Sequence, residues 1–387
     1  MKYIPILFSL LLWSGNMWGQ KTADSLLLSH IQTVPLALET DLEGLTKYLI
    51  QPVQKQEDQL RSIYLWLIHN IKYDTAALNN ERINKNNQDI LRRKKAICWG
   101  YSTLLEAMCE IANIPATIIS GYVKAPLDQI PFLKYPTHAW NAVQLEGTWH
   151  LLDATWDSGL INSSSEFYNK FGETYYRTSP NKFIANHLPA SPQWQLLDCP
   201  ISIETFQLST DSLLTAIENS DCSTVSDSIT NYAALTYYDQ LLLKAINAYQ
   251  FNPTEENRRE LGHTQIEYQE HLSDLAEALQ TTQKIDSLLL VQLQMIELCE
   301  VANELTDLYD TQLENCAYNY FNYAVALSLV PLTSENEQKM TQKMLFYFQQ
   351  ASQWLKALPR NMFTEQALDQ SKSYSDYLQK RLSANEN

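Results

Sequence analysis

The chain has 387 residues, 45% of them apolar, enough to build two cored domains. Its formal net charge of −16 excludes nucleic acid as the expected partner, because such binding rests on basic contacts to phosphate. The six cysteines form no Cys-x-x-Cys pair and have no clustered histidines beside them, so neither a metal nor a cofactor is expected.

In chain order, residues 1–19 read as a secretory signal: Lys2, an apolar run from Tyr3 to Trp13, then Ser14 to Gly19 before Gln20. The run is shorter than the roughly 20 apolar residues of a spanning helix, and no later stretch reaches that length. The expectation is an exported protein, periplasmic or secreted, with no integral membrane segment after signal removal.

Cys98 opens the next informative element. Tyr101, Leu104, Leu105, Met108, Cys109 and Ala112 follow the spacing of a buried helical stripe, which Asn113 and Pro115 terminate. A cysteine at a helix start faces unpaired N–H groups and the positive end of the dipole, which favour a thiolate and could hold an oxyanion. The upstream run Arg92-Arg93-Lys94-Lys95 would add positive potential, but such a run reads first as a solvated loop.

Residues 138–145 and 148–155 read as two strands joined by a two-residue turn at Glu146-Gly147. With that turn Leu145 opposes Thr148, Trp140 opposes Asp153, and His138 opposes Thr155. His138, Trp140, Trp149, Leu151, Asp153 and Thr155 then share one sheet face. His138 and Asp153 become diagonal neighbours, roughly 7–8 Å apart at the backbone, close enough for an imidazole–carboxylate hydrogen bond. A slip of one residue would put them on opposite faces.

A thiol, an imidazole and a carboxylate are the parts needed for nucleophilic acyl transfer. They lie in Ala96-Ile97-Cys98-Trp99-Gly100-Tyr101-Ser102, Thr137-His138-Ala139-Trp140-Asn141 and Leu152-Asp153-Ala154-Thr155-Trp156-Asp157. On these segments the chain resembles the transglutaminase-like superfamily, whose fold is papain-like. The stretch from Asp58 to Asp74 looks like the family's leading helix, and Tyr175 to Pro180, His187-Leu188-Pro189 and Trp194 to Leu197 are similar to the kyphoscoliosis-peptidase-like branch. The resemblance covers residues 55–200. It implies a cysteine-dependent activity on amide bonds, as peptidase or transglutaminase, with Cys98 as nucleophile, His138 as base and Asp153 as orienter. The superfamily also contains members that have lost the cysteine and serve as scaffolds; this chain keeps all three groups, which favours activity.

Trp140 and Trp99 are the candidate substrate contacts, although Trp140 could instead shield the His–Asp pair or simply fill the core. His69, His150 and His187 are read as structural, as is the aromatic segment from Phe167 to Tyr176. Cys109 is read as core packing, and the pairing of Cys199, Cys222, Cys299 and Cys316 stays open.

Of nine glycines only Gly262 lies beyond residue 173, and prolines thin out after Pro200. Loss of both, with abundant Leu, Gln, Glu and Ala, marks a helical region. Helices are expected at 230–250, 254–280, 283–307, 309–329, 334–357 and 363–384. No steady 34-residue period appears, which favours a helical bundle or irregular array over a tetratricopeptide repeat. The whole reads as an α+β protein: a papain-like, transglutaminase-type core over 30–200, with the Cys-bearing helix packed on an antiparallel sheet, followed by an all-α region over 205–387. Its expected partners are a protein or peptide substrate and a protein bound by the helical region.

Overall fold

The computed structural model describes residues 25–77, 86–124, 133–134, 136–162, 164, 166–220, 232–333 and 335–384. The signal segment and Cys222 lie outside these residues. The chain divides into two compact units that meet between Ala234 and Leu235. That corrects the boundary expected at 200–205. Two short helices, Ile203–Phe206 and Thr210–Glu218, stay with the first unit, where Phe206 and Leu213 are buried and Lys124 Nζ donates to the Leu208 carbonyl at 2.7 Å. Glycine and proline density reports where turns are needed, which is a different matter from where packing ends.

Three helices and one sheet carry the first unit. Helix α1 (Leu42–Ile50) is capped by Asp41, whose carboxylate accepts from the Gly44 amide. Helix α2 (Gln56–Asn70) is buried at every residue from Leu60 to Ile68, so it runs through the core rather than along its edge. Helix α3 spans Cys98–Ile111. Its expected stripe is buried throughout, and the chain leaves it through Asn113 at φ 55°, a left-handed conformation that asparagine tolerates.

The sheet has five antiparallel strands: β1 (Ala116–Val123), β2 (His138–Leu145), β3 (Thr148–Leu152), β4 (Tyr176–Thr178) and β5 (His187–Pro189), in the order β4-β3-β2-β1-β5. Val143, Leu145 and Leu152 pack with Leu104, Leu105, Met108 and Cys109 of α3 in one core. Asn141 Nδ2 also donates to the Ser102 carbonyl at 3.0 Å, pinning β2 to α3 near the cysteine. This is the helix-on-sheet core that the sequence implies.

The hairpin is as counted. Glu146 and Gly147 have φ of 49° and 81°, the two positive values of a type I′ turn, and Leu145 pairs with Thr148 and Asn141 with Leu152. One expectation fails: β3 stops at Leu152 instead of reaching Thr155. Asp153 turns the chain into a short helix, α4 (Ala154–Ser158), because its Oδ1 accepts from the Thr155 and Trp156 amides at 2.8 and 3.2 Å.

The second unit is helical: α5 (Tyr237–Phe251), α6 (Glu255–Thr281), α7 (Ile285–Leu305), α8 (Asp310–Leu327), α9 (Glu337–Lys356) and α10 (Met362–Ala384). Its first helix starts later than expected, at Tyr237, capped by Thr236. Each helix packs against those before and after it in sequence, which makes an array rather than a closed bundle. A disulfide between Cys299 and Cys316 ties α7 to α8. None of the helices among the described residues is long and apolar enough to cross a membrane.

Candidate active site

Three elements deliver three side chains to one point. Cys98 is the first residue of α3, whose N-cap, Ile97, supplies no side-chain acceptor, so the first-turn N–H groups stay available. His138 is the first residue of β2, and Asp153 caps α4 just beyond the end of β3. His138 Nε2 and Asp153 Oδ2 are 2.7 Å apart, and both residues are buried. With Nε2 turned to the carboxylate, the ring's Nδ1 edge is left for the hydrogen bond to the Cys98 thiol.

The electrostatics follow from burial opposed by charge. Burial pushes the Cys98 thiol up, but the hydrogen bond and charge of His138, with a further bond from the Ala139 backbone, leave it below its ordinary value. Burial would lower the His138 imidazole; the Asp153 carboxylate overrides it and raises the ring to about 10. Asp153, although fully buried, is held well below the usual carboxylate range by His138 and His187. Cys109, by contrast, is pushed far up by burial and stays a neutral thiol.

The surroundings sort the other candidates. Trp140 is 1% exposed, with its ring 5.9 Å from that of His138, so it walls the His–Asp pair and offers a substrate no surface. That corrects its reading as a substrate contact; the even positions of β2 point into an aromatic layer. Trp99 is 45% exposed beside the nucleophile and keeps its place as a candidate contact. The His69 ring packs, tilted, against that of Phe171 at 3.9 Å, and His150 is half-buried on β3. The Arg92–Lys95 run is not the solvated loop expected: Arg92 and Arg93 end a helix (Asn87–Arg93), and Arg92, Arg93 and Lys94 are paired with Asp89, Asp74 and Glu39. Tyr64 of α2 donates to the Asp153 carbonyl and to Asp157 Oδ2 at 3.0 and 2.7 Å, fixing α4 from below.

His187 is the residue that sequence reasoning missed. Its Nε2 lies 3.1 Å from Asp153 Oδ2, so one carboxylate oxygen faces two imidazoles. Burial lowers this second ring to about 4, despite the nearby carboxylate. His138, Asp153 and His187 are the one group among the described residues whose donor atoms converge as metal ligands would, within 4.8 Å. Both Nε2 atoms, however, are turned onto the same oxygen, so hydrogen bonds already close the cluster on itself.

Residues 43–154 match the model of the transglutaminase-like superfamily, and the first unit carries a domain of that superfamily. Within it, the chain is similar to the kyphoscoliosis-peptidase branch. It is 38% identical to kyphoscoliosis peptidase of Mus musculus over 44% of this chain and 27% of that one, and 39% identical to the Homo sapiens protein over 44% and 26%. The chain thus spans about a quarter of the length of these relatives. A solved structure titled as a putative cysteine protease from Cytophaga hutchinsonii overlaps 30% of this chain and 37% of its own at 21% identity, with a TM-score of 0.25. His187 falls outside the span matched by the superfamily model.

Proposed function

We propose that this chain is an exported, cysteine-dependent acyl-transfer enzyme that acts on peptide or glutamine-type amide bonds through Cys98, His138 and Asp153. The observation that carries the reading is the 2.7 Å His138–Asp153 bond beside a thiol whose pKa is lowered at a helix start. The resting pair is a Cys98 thiolate and a His138 imidazolium, with Asp153 holding the ring in position. The thiolate attacks the amide carbonyl carbon, and the first-turn N–H groups of α3 receive the oxyanion. His138 then gives its proton to the departing amine, leaving a thioester on Cys98. Water, giving a proton to the now neutral His138 as it attacks the thioester, releases the acid and restores the thiolate–imidazolium pair; a lysine amine in its place gives a crosslink. Both routes share every step to the thioester, and water is the default acceptor in dilute solution, so hydrolysis leads. The disulfide between Cys299 and Cys316 supports the export reading, since such bonds persist in oxidising compartments.

The test is alkylation of the purified full chain alongside turnover of a peptide panel, with and without a lysine-bearing acceptor. Cys98 should alkylate near neutral pH faster than a free cysteine of pKa about 8.5, and Cys109 should stay inert. His138→Ala should slow Cys98, and Cys98→Ser should abolish turnover. A Cys98 that behaves as an ordinary thiol and ignores the loss of His138 would sink the enzymatic reading. It would leave a transglutaminase-like scaffold that binds proteins through its helices.

A further inference from the structure

The first unit holds a buried polar group that the acyl-transfer chemistry does not consume. His187 lies on β5, hydrogen-bonded to β1 so that Val123 pairs with His187 and Gly121 with Pro189. It is completely buried. Its ring sits 4.4 Å from that of Trp156, 4.5 Å from Phe183, 4.9 Å from Tyr175 and 5.1 Å from Trp140. Such a cage packs a phenylalanine or leucine without cost, whereas an imidazole there needs partners for both nitrogens. It has them. Nε2 faces Asp153 Oδ2 at 3.1 Å, Nδ1 lies 2.7 Å from Asn186 Oδ1, and Asn186 Nδ2 donates to the Tyr175 hydroxyl at 2.7 Å.

The proton inventory fixes the direction of this chain. As placed, Asn186 Oδ1 would take the single N–H of a neutral His187 at Nδ1 and leave the Nε2 lone pair facing Asp153 Oδ2. Turning the Asn186 amide by 180° puts its NH2 at Nδ1 and its oxygen on the Tyr175 O–H, and so frees the ring N–H for Asp153. Every hydrogen then points toward Asp153. The carboxylate receives four donors in all: the Thr155 and Trp156 amides on Oδ1, and His138 and His187 on Oδ2. Four is about the full acceptor capacity of a carboxylate. Without the fourth, Oδ2 is held by His138 alone, and the carboxylate turns more easily about its Cβ–Cγ bond and out of line with the imidazole.

We infer that His187 is a positioning residue of the site: its Nε2–H locks the Asp153 carboxylate in the orientation that holds His138 against Cys98. This rests on reading Cys98, His138 and Asp153 as an acyl-transfer site. The groups that titrate around it are His138, Asp153 and Tyr175, with Asp157 acting on Tyr175 from α4. The buried ring stays neutral at working pH, which suits a donor that must not compete with His138 for the single charge.

The test reads Cys98 alkylation by iodoacetamide against pH in the full chain, with folding followed by circular dichroism. Glutamine can donate from its amide nitrogen where His187 donates from Nε2, whereas asparagine is too short and leucine has no donor. His187→Gln should stay within about threefold of the wild type at pH 6. His187→Leu and His187→Asn should each react about tenfold slower there, as the thiolate fraction falls with the loss of an oriented imidazolium. A folded His187→Leu with the wild-type profile overturns the inference, and so does a Gln and Asn pair that behave alike; this pair decides even if the leucine variant fails to fold. A wild-type Cys98 indifferent to His138→Ala overturns the acyl-transfer reading itself, and the role of His187 with it.

Discussion

Asp153 is a single side chain shared by three elements: α4 begins on one of its oxygens, and β2 and β5 meet on the other. Its two histidines differ in charge because one carboxylate can pay for only one imidazolium. The consequence for stability is directional. The His187 ring is held neutral, with its pKa lowered to about 4, while in the unfolded chain it titrates near the ordinary value of about 6.5. The unfolded state therefore binds the proton first. The contribution of His187 is complete above pH 6.5 and drains away as the pH falls toward 4. Measured against His187→Gln by urea unfolding across that window, the wild type should lose about 3 kcal/mol of relative stability. Parallel curves would mean that the ring is not held neutral. The His138–Asp153 pair was legible from sequence because a two-residue turn fixes the register, and counting outward from Leu145 and Thr148 brings the two together. His187 was not legible: it lies 34 residues from Asp153 and arrives on a strand too short to show a period.

At the scale of elements, the site depends on how closely β1 lies to its neighbours. Gly121 pairs with His138 on one side and with Pro189 on the other. A Cβ there would fall 2.3 Å from the Leu188 carbonyl and 2.3 Å from the Trp140 ring, and the first of these is backbone that cannot swing away. Gly121→Ala should thus cost about 1–3 kcal/mol in denaturant unfolding, and it should slow Cys98 alkylation by displacing both histidine-bearing strands. Loss of stability with an unchanged alkylation rate would show that the strands spread without moving the site. Helix α3 was the easiest element to read, since its stripe has helical spacing and ends on asparagine and proline. The end of β3 was harder, because Asp153 as a helix cap competes with strand alternation and wins through two backbone hydrogen bonds.

For the whole molecule, the question is where the catalytic unit stops. Tyr232 is buried with its ring 4.7 Å from that of Trp194, and its hydroxyl lies 3.4 Å from Thr117 Oγ1 on β1. A chain ending at Ala234 should fold and keep its Cys98 reactivity. One ending at residue 200 loses Phe206, Leu213 and Tyr232 from the core and should melt earlier or fail to fold, as calorimetry would show. Equal melting of the two would restore the earlier boundary. The composition shift after residue 173 correctly announced helices, but it was blind to this tail, whose anchoring depends on contacts far apart in sequence.

The spacing of the sulfur atoms has a consequence for how such a site would age. Cys299 and Cys316 are bonded to each other, and Cys199 is likewise held in a disulfide. The other free thiol among the described residues, Cys109, is buried eleven residues along α3 from Cys98, about 16 Å at the helical rise. If peroxide converts Cys98 to a sulfenic acid, none of these sulfurs is placed to condense with it and return it to a reducible bond. Among the described residues no other sulfur then guards the nucleophile against further oxidation to the sulfinic acid, and a small thiol arriving from solution before that step would rescue it.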